Sequence, residues 1–328
     1  MKTRSFLFLF LLSAMCSISV VAAQPTLSFT VATNKETYDH NDCVTVAGVL
    51  KQNLLPLADG LIGLQIDAPK GNVLLTRTMT TGTGTSVPNL PIQITSAYSS
   101  GSSNNPQKTL EAGYLGYFTI KISNTDTELH DMVITVTLFD NSNVLLGHVS
   151  IPASLMGDQT GTVTVSLPVP LWATAGDAYG YANVYTALPS NHGLPIALEY
   201  SFQFTIVNGA SGIYDTVNND PELGFYSFTF VLPKTPIDGV YTVSACTLYG
   251  EVEHFKSAFF TVSLLSDFNG DKVPDSSDVL VFVQSYKDYT SGNHNYNPSC
   301  DLNHDGRVDY LDVLIFTQSY AKYWSVEK

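Results

Sequence analysis

Through about residue 264 the apolar positions recur with a period near two, in short runs bounded by glycine, proline, asparagine and serine. That is the pattern of half-buried strands. Runs of this kind occupy residues 27–33, 43–50, 61–68 and 73–80, and again 225–232, 240–248 and 255–264. Loop-like stretches rich in small and turn-forming residues, 80–91 and 208–224, separate these two groups from a third set at 92–97, 117–123, 132–140, 144–151, 162–169, 178–187 and 200–207. Beyond residue 264 the period changes. Valine, leucine, phenylalanine and tyrosine recur at helical spacing over 279–286 and 313–320, which predicts two short helices.

Neither outer group of strands makes a stable sheet pair alone, because a half-sandwich leaves edges unpaired and buries little apolar surface. Together they supply the strands of one immunoglobulin-like sandwich, and the middle set supplies another. The expected fold class is therefore mainly β, with two Ig-like β-sandwiches, one inserted into the other, plus a small α-helical C-terminal domain. The expected boundaries are 24–86 with 211–264 for the outer sandwich, 87–210 for the inserted one and 265–328 for the helical domain. Insertions are tolerated where a loop tip brings entry and exit together. The alternative order is three consecutive pieces, two of them half-sized. Thr33-Asn-Lys-Glu-Thr-Tyr38, Val44-Thr-Val-Ala-Gly48 and Ile66-Asp-Ala-Pro-Lys-Gly-Asn-Val73, with Phe228-Thr-Phe230, Leu232-Pro233 and Gly239-Val-Tyr-Thr-Val243, resemble the opening and closing strands of macroglobulin-like and bacterial Ig-like modules. That resemblance bears on fold and says little of function.

The helical segment carries an internal repeat. Asp267-Phe-Asn-Gly-Asp-Lys-Val-Pro-Asp-Ser-Ser-Asp278 recurs 34 residues later as Asp301-Leu-Asn-His-Asp-Gly-Arg-Val-Asp-Tyr-Leu-Asp312, each copy running into one of the predicted helices. Aspartate or asparagine at relative positions 1, 3, 5, 9 and 12 is the oxygen-ligand spacing of a calcium loop. The expected ligands are Asp267, Asn269, Asp271, the Val273 carbonyl, Asp275 and Asp278 in one loop, and Asp301, Asn303, Asp305, the Arg307 carbonyl, Asp309 and Asp312 in the other. Gly306 suits the left-handed bend at the sixth position. Its counterpart is Lys272, which is strained there by something like 1 kcal/mol, and Pro274 lacks the N–H that the eighth position would use for loop pairing. Two calcium sites are thus expected, the second tighter.

A paired-helix calcium hand would need a helix before each loop, and here a strand-like run and a loop precede them. Loop-then-helix order, duplication and aspartate at the twelfth position resemble the dockerin module over residues 265–324. The resemblance implies a plug for a cohesin-type socket, attaching exported proteins to a scaffold or cell surface, often within polysaccharide-degrading systems. It also implies that the tenth and eleventh loop residues contact the partner: Ser276 and Ser277 in one copy, Tyr310 and Leu311 in the other. These pairs differ, so the two faces are not expected to be interchangeable. The competing reading is that calcium only staples a small domain to its own chain.

Charge and termini narrow the setting. The net charge of −14 argues against nucleic acid and anionic lipid as partners and suits a cation binder. Lys2 and Arg4, an apolar run to Val21, and Ala22-Ala23 have the layout of a secretory signal peptide, residues 1–23. No further membrane span is expected. The chain is expected to be secreted or extracellular, including attachment at the cell surface.

The remaining candidates are weaker. Without the leader's Cys16, Cys43, Cys246 and Cys300 remain, and a bridge from Cys43 to Cys246 would staple the outer sandwich, although both sit out of phase with the apolar residues of their strands. Tyr179, Tyr181 and Tyr185 share one strand face and would form a platform for sugar rings if exposed, which gives a polysaccharide-binding accessory role as the alternative function. Asp238 to Tyr241 resembles a tyrosine corner. Glu111, Glu199 and Glu222 would be the carboxylates of a hidden glycosidase dyad. No nucleophile elbow, zinc-binding helix or phosphate loop occurs in the sequence, so the expectation is a non-enzymatic protein.

Overall fold

The computed structural model describes residues 26–82, 89–101, 105–210, 222–233, 236–249, 252–293, 295–303 and 305–326. The expected leader, 1–23, and the expected sandwich boundary at 86/87 lie outside the described residues, and the boundary at 210/211 falls where a described stretch ends.

The chain is mainly β with a small helical C-terminus, the fold class expected from the sequence. One sheet is built on Cys43–Gln52, flanked by Leu27–Phe29 on one side and Phe225–Val231 on the other, with short pairings from Ala32–Thr33 and Leu55–Pro56. The sheet facing it runs in the order Thr37–Tyr38, Val252–Val262, Gly239–Tyr249, Leu61–Ala68, Asn72–Thr80. Strands from the two ends of the β region are therefore neighbours in both sheets. Val46 lies opposite Phe228, and Leu64 opposite Ala245.

The period-two pattern explains the core between these sheets. Val44, Val46 and Leu50 point inward from one strand, and Tyr226, Phe228 and Phe230 from its partner. Tyr241 stacks on Phe260 with ring centroids 5.0 Å apart. Its hydroxyl donates to the Ile237 carbonyl at 2.9 Å, which ties the preceding turn to the strand. Gly48 breaks the alternation for a steric reason. A Cβ there would sit about 2.0 Å from the Thr30 carbonyl oxygen and 2.2 Å from the Tyr226 hydroxyl, which themselves hydrogen-bond at 2.6 Å.

Strands between these groups form their own two sheets. One has the order Thr160–Pro168, Leu115–Asn124, Ile92–Ser100, and the other Leu145–Leu155, His130–Phe139, Gly176–Tyr185, Tyr200–Val207, Thr109–Glu111. Phe118, Ile120, Ile134, Val136, Val184 and Phe204 fill the space between them. The short strands at Thr37–Tyr38, Leu55–Pro56 and Thr109–Glu111 are too brief to produce an alternation.

The two sandwiches meet through a polar layer. The Thr76 and Thr135 hydroxyls lie 2.7 Å apart, and the Thr137 hydroxyl accepts from the Thr76 N–H and donates to the Thr76 carbonyl. Thr78 donates to the Tyr185 hydroxyl, which donates to the Arg77 carbonyl at 2.7 Å. This second covering explains why Leu61–Ala68 is buried on both faces.

It also corrects the tyrosine platform. Tyr185 is fully buried, and the Arg77 guanidinium sits 3.6 Å from the Tyr181 ring centroid, so only Tyr179 remains exposed. The Cys43–Cys246 bridge is likewise absent: both residues carry thiols, Cys43 exposed and Cys246 buried against Gly63.

Candidate calcium loops and docking face

After Val262 the chain leaves the outer sandwich, and the Leu265 N–H donates to the buried Asp39 carboxylate at 3.3 Å. Two helices follow, α1 at Ser276–Thr290 and α2 at Tyr310–Val326. Both extend beyond the apolar runs that predict them. The start of α1 is fixed by a capping box, in which Asp275 accepts from the Ser277 N–H and Asp278 accepts from the Asp275 N–H. Between the helices, Phe268, Phe282 and Phe316 form the core, the last two stacked at 4.6 Å, and Val308 and Cys300 are fully buried beside them.

Each loop precedes its helix and is wound around its own carboxylates. In the first, Asp267 accepts from the N–H groups of Gly270 and Lys272, Asn269 from Asp271, and Asp271 from Val273. Asp278 accepts through one oxygen from Phe268 and Asn269 and through the other from Asp275. The second loop repeats the scheme. Asp301 accepts from Asp305 and Gly306, Asn303 from Asp305, Asp305 from Arg307, and Asp309 from Leu311. Asp312 accepts from Leu302, Asn303 and Asp309. Backbone donors thus hold every expected side-chain ligand in place, as a preorganised cation loop requires.

The loops differ where the sequence differs. Gly306 has φ +81°, and Lys272 takes the same left-handed region at φ +70°, a conformation that penalises a residue with a Cβ. In the first loop, carboxylate oxygens of Asp267, Asp271 and Asp278 all lie within 4.8 Å of one another; among the described residues no other such group of ligating side chains occurs. Like charges held this closely repel. The donors are all oxygen, with no nitrogen or sulfur, which fits a hard divalent cation such as calcium and does not fit zinc or copper.

The helix pair leaves an apolar surface uncovered. Ser276 and Ser277 are exposed at the start of α1, and Tyr310 and Leu311 at the start of α2, where Tyr310 is 64 % exposed. One turn further on, Leu280 is 70 % exposed and Leu314 is also in solvent, as is Val283 a turn beyond Leu280. Sequence reasoning missed these three. The signal was present, since each is apolar yet out of phase with the inward stripe of Phe282 and Phe316.

Residues 265–319 match the family model of the dockerin type I domain. The dockerin segment accordingly contains both loops and most of both helices. No curated protein significantly matches the chain.

Among solved structures, the C-terminal domain of wzt is similar at 14 % identity over 40 % of this chain and 83 % of its own, with TM-score 0.32. The CARDB domain of a Pyrococcus furiosus protein, in complex with di-metal ions, aligns at 13 % identity over 37 % of this chain and 89 % of its own, TM-score 0.25. A cycloisomaltooligosaccharide glucanotransferase from Paenibacillus sp. aligns at 13 % identity over 37 % of this chain, TM-score 0.25; the chain spans only 15 % of that enzyme.

The other candidates are placed apart from the dockerin segment. Glu199 is engaged by Arg77, and Glu111 accepts from the Asn208 amide at 2.7 Å, while Glu222 is exposed. His40 contacts Asp238 and His130 contacts Asp126.

Proposed function

We propose that this is a secreted, non-catalytic modular protein that takes part in extracellular assembly or adhesion by docking its C-terminal domain on a cohesin-type partner in the presence of calcium. The observation that carries this reading is the coincidence of the dockerin match with two loops whose twelfth-position aspartates accept the same three backbone hydrogen bonds, one repeat apart. Asp267, Asn269, Asp271, Asp275, Asp278 and the Val273 carbonyl would hold one calcium ion. Asp301, Asn303, Asp305, Asp309, Asp312 and the Arg307 carbonyl would hold the other, more tightly because Gly306 bends without strain. Bound calcium would neutralise the clustered carboxylates and fix the starts of α1 and α2, and with them the exposed apolar face.

That face is uneven. Ser276 and Ser277 offer hydroxyls where Tyr310 and Leu311 offer apolar surface, so a partner would be met chiefly by the second copy, with Leu280, Val283 and Leu314 completing the contact. The non-catalytic reading draws support from Glu199, whose carboxylate is occupied by an arginine. The sandwiches would then act as the spacer or adhesive part. The test is binding of the full chain to a panel of purified cohesin domains, with calcium and with chelator. Calcium-dependent binding lost in Tyr310→Ala/Leu314→Ala supports the proposal. Binding to no cohesin, or binding indifferent to chelator, contradicts it.

A further inference from the structure

The indole N–H of Trp324 donates to the carbonyl of Pro274 at 2.9 Å. Pro274 lies in the first loop, between Val273 and Asp275, whereas Trp324 stands near the far end of α2, the helix that grows out of the second loop. Trp324 is 12 residues beyond Asp312, about 18 Å along a helix axis at ~1.5 Å per residue. The helix is thus a rod with one end seated in the second loop and the other tied to the first. Phe316, Tyr320 and Trp324 follow one another along it with ring centroids 5.7 and 6.4 Å apart.

The tie is one-sided. The residue at the matching place on α1 is Thr290, whose hydroxyl turns back to its own helix, donating to Tyr286 and Lys287 carbonyls. The tied loop is also the strained one, with Lys272 at φ +70°. Yet it is this loop whose carboxylates are drawn together within 4.8 Å. An external restraint on the first loop accounts for both facts.

We infer that Trp324 is a positioning residue for the first calcium loop and couples the two sites: cation binding in the second loop fixes α2, which through Trp324 and Pro274 holds the first loop in its binding shape. This rests on both loops being cation sites. Coupling between binding sites is reciprocal, so loading of the first loop strengthens the second by the same factor.

The experiment is a calcium titration of the full chain in a Trp172→Phe background, where Trp324 is the remaining one of two tryptophans, followed by tryptophan emission and calorimetry. Asp271→Asn disables the first loop and Asp305→Asn the second. Trp324→Phe keeps a ring but removes the N–H and is followed by calorimetry alone. Emission is expected to change as the two loops fill, and in Asp271→Asn only the part that accompanies filling of the second loop is expected to remain. Trp324→Phe is expected to weaken the first site about fivefold, the equivalent of one ordinary hydrogen bond, and to leave the second site folded and binding. Asp305→Asn is expected to weaken the first site only when Trp324 is present. A first-site affinity unchanged by Trp324→Phe, or one that Asp305→Asn lowers as much in the Trp324→Phe background as with Trp324 present, would overturn the inference. Failure of either loop to take calcium in the unmutated background would instead remove the reading beneath it.

Discussion

Arg77 and Glu199 form a two-pronged ion pair between the sandwiches, with Nε donating at 2.9 Å and a terminal nitrogen at 2.8 Å to the two carboxylate oxygens. The Thr78 N–H adds a third bond to the same carboxylate at 3.0 Å. Burial works against the guanidinium's charge, but the adjacent Glu199 carboxylate outweighs it and holds the arginine's pKa above its ordinary value. Removing one partner strands the other in a site with little water. Glu199→Gln or Arg77→Met is therefore expected to destabilise the protein by about 3–5 kcal/mol, whereas replacing both by apolar residues restores most of it. Denaturant unfolding of the single and double variants checks this.

His148 makes stability depend on pH. Its Nδ1 lies 3.2 Å from the Thr137 hydroxyl, while Nε2 is buried without a hydrogen-bond partner. Burial lowers its pKa from 6.5 to about 4. Above pH 6.5 the imidazole is neutral in both folded and unfolded chains and the stability is fully present. As pH falls toward 4 the unfolded chain takes the proton first, and about 3 kcal/mol is lost. His148→Gln is expected to flatten that part of the pH profile in thermal unfolding. An unchanged slope between pH 6.5 and 4 would count against it.

The thiols should separate by reactivity. Cys43 is exposed, whereas burial pushes the Cys246 thiol up to about 12 and also raises that of Cys300. With calcium present, a thiol reagent followed by mass spectrometry is expected to label Cys43 alone. Because Cys300 is buried against the paired helices and directly precedes Asp301, chelation should expose it next. Cys246 should react only on unfolding of the sandwiches. Equal labelling of all three in the native protein would contradict the burial assigned here.

The outer strands were legible because their alternation is simple: Val44, Val46, Gly48 and Leu50 are buried, and Thr45, Ala47 and Val49 between them are only partly so. The loops were legible because oxygen ligands must recur at fixed offsets. What could not be read depends on surfaces far apart in sequence. The fate of Tyr181 was set by Arg77, about a hundred residues earlier in the chain. Leu280, Val283 and Leu314 read as helix core, but a two-helix domain has only one inward stripe, and these side chains fall outside it. Trp324 lay beyond the predicted end of the second helix, and only the extra turns of α2 bring it to Pro274.

Calcium binding is the claim on which docking, helix order and thiol exposure all depend. The most direct measurement is calorimetric titration of the full chain with calcium after chelation, beside Asp271→Asn, Asp305→Asn and the double variant. Two binding events of unequal strength are expected, with one lost in each single variant and both in the double. Absence of binding heat, or heat that persists in the double variant, would contradict the account.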